Sequence, residues 1–140
     1  MLNKLFYDDG GSVFQSAIGK TITALSLNPS ENDEDEDRLR MTFSDGSTIA
    51  IYGSRQLCCE HRYMHTDDDL SVHIGATLVG GELRDGPEQD EGEHDWTLEC
   101  QFLLITTSRG VLTVANYNHH NGNYGGFALR VIREERTWNT

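Results

Sequence analysis

Apolar residues in this chain recur at every second position, in short runs divided by turn chemistry, and that spacing leaves little room for anything but β-strands. Leu39, Met41 and Phe43 alternate with Arg40 and Thr42. Ile49 and Ile51 answer them across Asp45-Gly46, and Phe127, Leu129 and Val131 repeat the pattern near the end. Successive side chains of an extended strand point to opposite faces, so period two builds one apolar face, whereas a helix needs spacings of three and four. Asp-Gly suits the positive φ of a tight hairpin turn. Further strands are expected over residues 20–27, 59–65, 76–83, 96–107 and 111–117, with a bulge at Gly80-Gly81. In the first of these Ile22 and Ala24 share one parity, Leu25 and Leu27 the other. The continuous Phe102-Leu103-Leu104-Ile105 implies burial on both faces.

Helical signals are few. A helical turn over residues 13–18 is closed by Gly19, and Thr66 with the following aspartates caps a second over 70–74, ended by Gly75. Residues 30–37 and 85–95 read as acidic loops, the second broken by Gly86-Pro87, and 118–126 as a longer turn. The expected fold class is therefore mainly β with minor helix (α+β). It is one twisted antiparallel sheet, curled or doubled into two layers, with one or two short helices. The 140 residues fit a single domain spanning 1–140, since domains most often run about 100–150 residues.

Charge narrows the partners. Twenty-three acidic against eleven basic residues give a formal net charge of −12. Phosphates and anionic lipids carry the same sign, so direct nucleic-acid or membrane binding is disfavoured, and a basic protein surface is attracted instead. No apolar run reaches the roughly 20 residues needed to cross a bilayer as a helix. Three cysteines, Cys58, Cys59 and Cys100, make no even disulfide framework, and adjacent Cys58 and Cys59 point to opposite strand faces. With an acidic N-terminus unlike a secretory leader, this implies a reducing, cytoplasmic setting.

Seven short motifs stand in a fixed order: Gly19-Lys20-Thr21-Ile22, Asp45-Gly46, Cys58-Cys59-Glu60, Asp69-Leu70 through Ile74-Gly75, Trp96-Thr97, Gly110, and Asn121-Gly122-Asn123-Tyr124. In these the chain resembles an uncharacterised domain family of bacterial and phage proteins, over about residues 18–134. The resemblance implies a shared fold and an origin that in the family is frequently phage or prophage. It brings no activity, cofactor or catalytic residue.

Spacing limits what the chemistry-bearing groups can do. Cys58, Cys59, His61 and His65, with His119 and His120 in the far turn, offer zinc-type ligands, but positions i, i+2 and i+6 of one strand lie too far apart to share one ion, and no CxxC or helical HxxxH occurs. No metal and no cofactor is expected. A thiolate at Cys59 would face Glu60 and the nearby aspartates, which raise a thiol pKa, so no catalytic residue is expected either. The EF-hand pattern is missing from the acidic runs.

The leading expectation is a small acidic, non-enzymatic interaction protein. Phage-encoded, it would inhibit a host nucleic-acid-binding or defence complex (of the anti-CRISPR or anti-restriction kind) by covering its basic surface. The partner-binding candidates are Asp33, Glu34, Asp35, Glu36, Asp37, Asp67, Asp68 and Asp69. The alternative is a binder of a small, nucleotide-like signal, using Cys59, His61, Tyr63, Asn121 and Tyr124, with Arg55, Arg62 and Arg84 converging if the ligand is anionic. A thiol or metal-dependent enzyme is the third class. Exposed sheet edges leave a homodimer open.

Overall fold

The computed structural model describes residues 10–28, 37–53, 60–86, 89–91, 96–120 and 129–134. Among the described residues one helix, α1 (Gly10–Ala17), precedes nine strands: β1 (Ile22–Asn28), β2 (Arg38–Phe43), β3 (Thr48–Gly53), β4 (Glu60–His65), β5 (Leu78–Asp85), β6 (Gln89–Glu91), β7 (Trp96–Thr107), β8 (Gly110–His120) and β9 (Leu129–Glu134). A 3-10 turn, Leu70–His73, lies between β4 and β5. All pairings among the described residues are antiparallel. A short sheet runs β1-β2-β3-β9 and a longer one β4-β8-β7-β5, with β6 added alongside β7. The mainly β class is as the periodicity predicts, and the sheet is doubled into two layers, not one continuous sheet.

The hairpin at Asp45-Gly46 is held as its chemistry requires. Gly46 sits at φ 87°, where a side chain would be strained. The Asp45 carboxylate accepts from the Ser47 backbone N–H at 2.9 Å and pairs with Lys20 at 2.8 Å. These partners hold its carboxyl well below the usual carboxylate range, the Lys20 contact first. The Asp69 carboxyl is lowered likewise by the Ser71 hydroxyl and backbone N–H, as it caps the 3-10 turn. A group whose folded pKa is depressed stabilises the fold above its unfolded pKa and loses that contribution as pH falls toward the folded value. Acid titration should therefore lower the melting temperature below about pH 4, the unfolded aspartate range. The Asp45→Asn, Asp69→Asn double variant should show a flatter dependence there.

Core residues come from both layers. Leu39, Met41, Phe43, Ile49 and Ile51 of the short sheet and Leu78, Leu103, Ile105, Leu112 and Val114 of the long one join a single buried cluster. Phe14 of α1 enters it beside Gly81, where a Cβ would come within 2.9 Å of the Phe14 ring. The layers are stitched along one edge: Gly19 N–H donates to Leu78 O, Leu78 N–H to Lys20 O, and Ile22 N–H to Ala76 O.

Several expectations shift by a residue or two. In β1 a register irregularity between Ile22 and Ala24 turns both Ile22 and Leu25 inward, and Ala24 is exposed. A bulge resets parity, which strict alternation cannot anticipate. The irregularity in β5 lies between Leu78 and Gly80, one position before Gly80-Gly81. In the tetrad of β7, Leu103 and Ile105 are fully buried whereas Phe102 and Leu104 are half-buried. Part of the second acidic segment, Gln89–Glu91, is strand, because its backbone pairs with Trp96, Thr97 and Leu98. Strand β8 continues through Asn118, His119 and His120, three residues into the expected turn. Of Thr66 and the aspartates that follow it, Asp69 is the residue that caps the 3-10 turn. Phe127, Pro29 and most of the first acidic loop lie outside the described residues.

Candidate functional site

The inner face of the long sheet changes character along its length. On β7 the inward parity reads Thr107, Ile105, Leu103, then Gln101, Glu99, Thr97. On β8 it reads Leu112, Val114, then Asn116, Asn118, His120. Opposed pairs make successive rows: Leu103 with Val114, Gln101 with Asn116, Glu99 with Asn118, Thr97 with His120. Strand β4 extends two of these rows with Met64 beside Asn116 and Arg62 beside Asn118. Beyond the apolar rows the interior is thus lined by amides, a carboxylate, an imidazole and a guanidinium. Asn116 and Asn118 are 3% and 0% exposed.

Such groups are costly in an interior unless hydrogen-bonded, so this wall is a built feature. The Nε2 of His120 lies 2.9 Å from Oε1 of Glu99, which fixes the ring plane. Asn116 donates its amide N–H to the Gln101 carbonyl at 3.1 Å. Across from it, Asp37, the residue just before β2, accepts the Met64 backbone N–H at 2.9 Å, tying the short sheet to edge strand β4. Glu99, Gln101, Asn116 and Asn118 are absent from the sequence-based expectations, and His120 figures there only among the zinc-type ligands. Their signal is legible in retrospect: polar side chains continue the parity of Leu103 and Val114 without a break.

The outer face of the same edge carries the expected ligand candidates. His61 stacks on Tyr63 with ring centroids 5.2 Å apart, and Tyr63 stacks on Tyr117 at 5.0 Å. Sequence reasoning named His61 and Tyr63 and missed Tyr117, which cross-strand pairing supplies. Cys59, Asn121 and Tyr124 lie outside the described residues. Arg62 points to the inner face of β4, while Arg84 sits on β5 at the opposite edge of the sheet, 3.1 Å from Glu82. They do not converge, and Arg55 lies outside the described residues.

Asp67, Asp68 and Asp69 are exposed, and each is held by the chain. Asp67 meets His65 Nε2 at 2.7 Å, Asp68 accepts the Thr113 backbone N–H at 2.7 Å, and Asp69 accepts the Ser71 N–H at 3.0 Å. Beyond His65, where β4 ends, the Thr66 hydroxyl donates to the Thr113 carbonyl, so side chains continue the ladder on β8. Asp33, Glu34, Asp35 and Glu36 lie outside the described residues.

Among the described residues no group of three or more His, Cys, Asp or Glu side chains could hold a metal ion. Cys100 is buried on the outward parity of β7, and burial pushes its thiol pKa up, which disfavours the reactive thiolate. Among the described residues no helix is long and apolar enough to cross a membrane.

Fold and site together define a two-layered antiparallel β domain with a polar inner wall and an aromatic outer edge. The chain belongs to the DUF7448 family, a domain of unknown function, whose family model matches residues 15–129. No curated protein and no solved structure matches it.

Proposed function

We propose that this protein acts by binding rather than by catalysis, as a small acidic module that covers a basic surface of a host protein or ribonucleoprotein. One observation carries the reading. Asp67, Asp68 and Asp69 are consecutive exposed carboxylates fixed by hydrogen bonds within the fold, and among the described residues none of them is paired with a lysine or arginine. Four of the described cations are occupied elsewhere: Lys20 by Asp45, Arg84 by Glu82, and both Arg38 and Arg40 by the single Glu134. Fixed carboxylates with unspent charge can substitute for phosphates on a nucleic-acid-binding surface, steering association and setting register. In its concrete form the protein is phage-encoded and blocks a CRISPR or restriction complex.

The test is affinity capture from a bacterial host lysate, followed by titration of the captured partner at several salt concentrations. Affinity should fall about tenfold or more between low and high salt, because exposed charge pairs are screened. The Asp67→Asn, Asp68→Asn, Asp69→Asn variant keeps the acceptor oxygens and should weaken binding as well. Binding indifferent to salt and to those substitutions would remove the reading.

A second reading, a small-ligand binder, is favoured by the stack of His61, Tyr63 and Tyr117. Aromatic faces of this kind take planar rings, and nucleobases stack on them. A screen of neutral nucleosides by thermal shift separates the readings, since a ligand that binds only the native state raises its melting temperature.

A further inference from the structure

Where the apolar core meets the polar wall, a cavity lies between the sheets. Asp37, Gly53 and Leu129 line it from the short-sheet side, and Arg62, Met64 and Asn116 from the long sheet. It leaves about 20 Å³ for the centre of a water-sized sphere. One water needs roughly 10–15 Å³ measured in this way, together with two to four polar partners. A metabolite does not fit.

The chemistry of the lining is specific. Asn116 is 3% exposed, and its amide nitrogen faces two backbone carbonyls, Gln101 O at 3.1 Å and Val114 O at 3.5 Å. Two acceptors on one side fix which end of the amide is nitrogen. Oδ1 therefore points away from them, and it accepts no hydrogen bond from any described residue. A buried carbonyl without a donor costs on the order of its desolvation penalty, which natural folds rarely tolerate. The adjacent Asp37 carboxylate is a second acceptor, and the Arg62 guanidinium a donor.

We infer that this cavity is a binding site for a single water molecule, which donates to Asn116 Oδ1 and to Asp37 and accepts from Arg62, joining the two sheets at the start of the polar wall. An ammonium ion would meet the Arg62 charge, and an anion would meet two acceptors. Water alone matches both demands.

Gly53→Ala tests this through the sign of its effect. A Cβ at Gly53 would meet only Leu129 Cδ2, at 3.9 Å, so the methyl enters the cavity without a clash. In a dry cavity the methyl adds contacts and alanine lowers the entropy of the unfolded chain, so the melting temperature should rise. If a water is held there, the methyl expels it and strands Asn116 Oδ1, and the melting temperature should fall. A fall is expected, and a rise would overturn the inference. In an Asn116→Leu background, which removes the acceptor, Gly53→Ala should no longer be destabilising, and an undiminished loss there would also overturn it. If Asn116→Leu fails to fold, a high-resolution crystal structure of the unaltered protein decides. Electron density for a water within hydrogen-bond distance of Asn116 Oδ1 supports the site, and clear absence of density overturns it.

Discussion

Phe43→Ala is expected to lower the free energy of unfolding by about 3–5 kcal/mol, the range for aromatic truncation in a packed core. Phe43 ends β2 on the inward parity, 1% exposed, opposite Ile22 of β1 and within the same cluster as Phe14. Its backbone also closes the hairpin, with N–H to the Ser47 carbonyl and its own carbonyl accepting from Gly46. Those bonds survive the substitution, so the loss reports side-chain packing and the cavity left behind. The neighbour Thr42, on the other parity, is half-buried and touches the Thr48 hydroxyl at 2.9 Å. Thr42→Ala should therefore cost far less, about 1 kcal/mol or under. Urea denaturation of both variants checks the pair. Equal losses would mean that parity does not decide burial in β2.

Glu134→Ala should give the second large effect, about 1–3 kcal/mol, between the values typical of exposed and fully buried ion pairs. Glu134 ends β9 on the outer face of the short sheet, and its carboxylate holds Arg40 Nε at 2.7 Å and Arg38 Nη1 at 3.1 Å. The Arg38 guanidinium is also 4.6 Å from the Tyr52 ring centroid. With the side chains 22–36% exposed, solvent screens part of the attraction, which sets the upper bound. Removing the carboxylate leaves two guanidiniums without the charge that pairs with both. Glu134→Gln keeps the shape and should recover part of the loss at high salt, where repulsion between the arginines is screened. Loss unchanged by salt in both variants would contradict the electrostatic account.

How much of this was legible in the sequence depended on whether the determinant was local. Alternation in β2 and β3, the Asp-Gly turn and the span of β7 are written within a few residues of each other, and the structure matches them. The parity of β1 was not legible, because it depends on a bulge against Thr42 and Phe43 in a neighbouring strand. The strand Gln89–Glu91 was hidden by its acidity, since pairing with β7 and not its own propensity makes it extended. For the site, His61 and Tyr63 could be placed on one face from spacing alone, but Tyr117 joins them only through the register of β4 on β8. The polar wall was missed for a different reason. Asn116, Asn118 and His120 look like the approach to a solvated turn until Leu103 and Val114 fix which face they share. Asp37 was expected to project from an acidic loop toward a partner, yet it bonds the Met64 backbone.

Every functional statement rests on two sheets meeting through alternate side chains, with Asp67, Asp68 and Asp69 left outside. Methyl–methyl nuclear Overhauser effects on selectively labelled protein test this directly. The account predicts cross-peaks joining Leu39 and Ile51 of the short sheet to Leu103 and Val114 of the long one. Cross-peaks confined within each sheet, with none between the two groups, would contradict it.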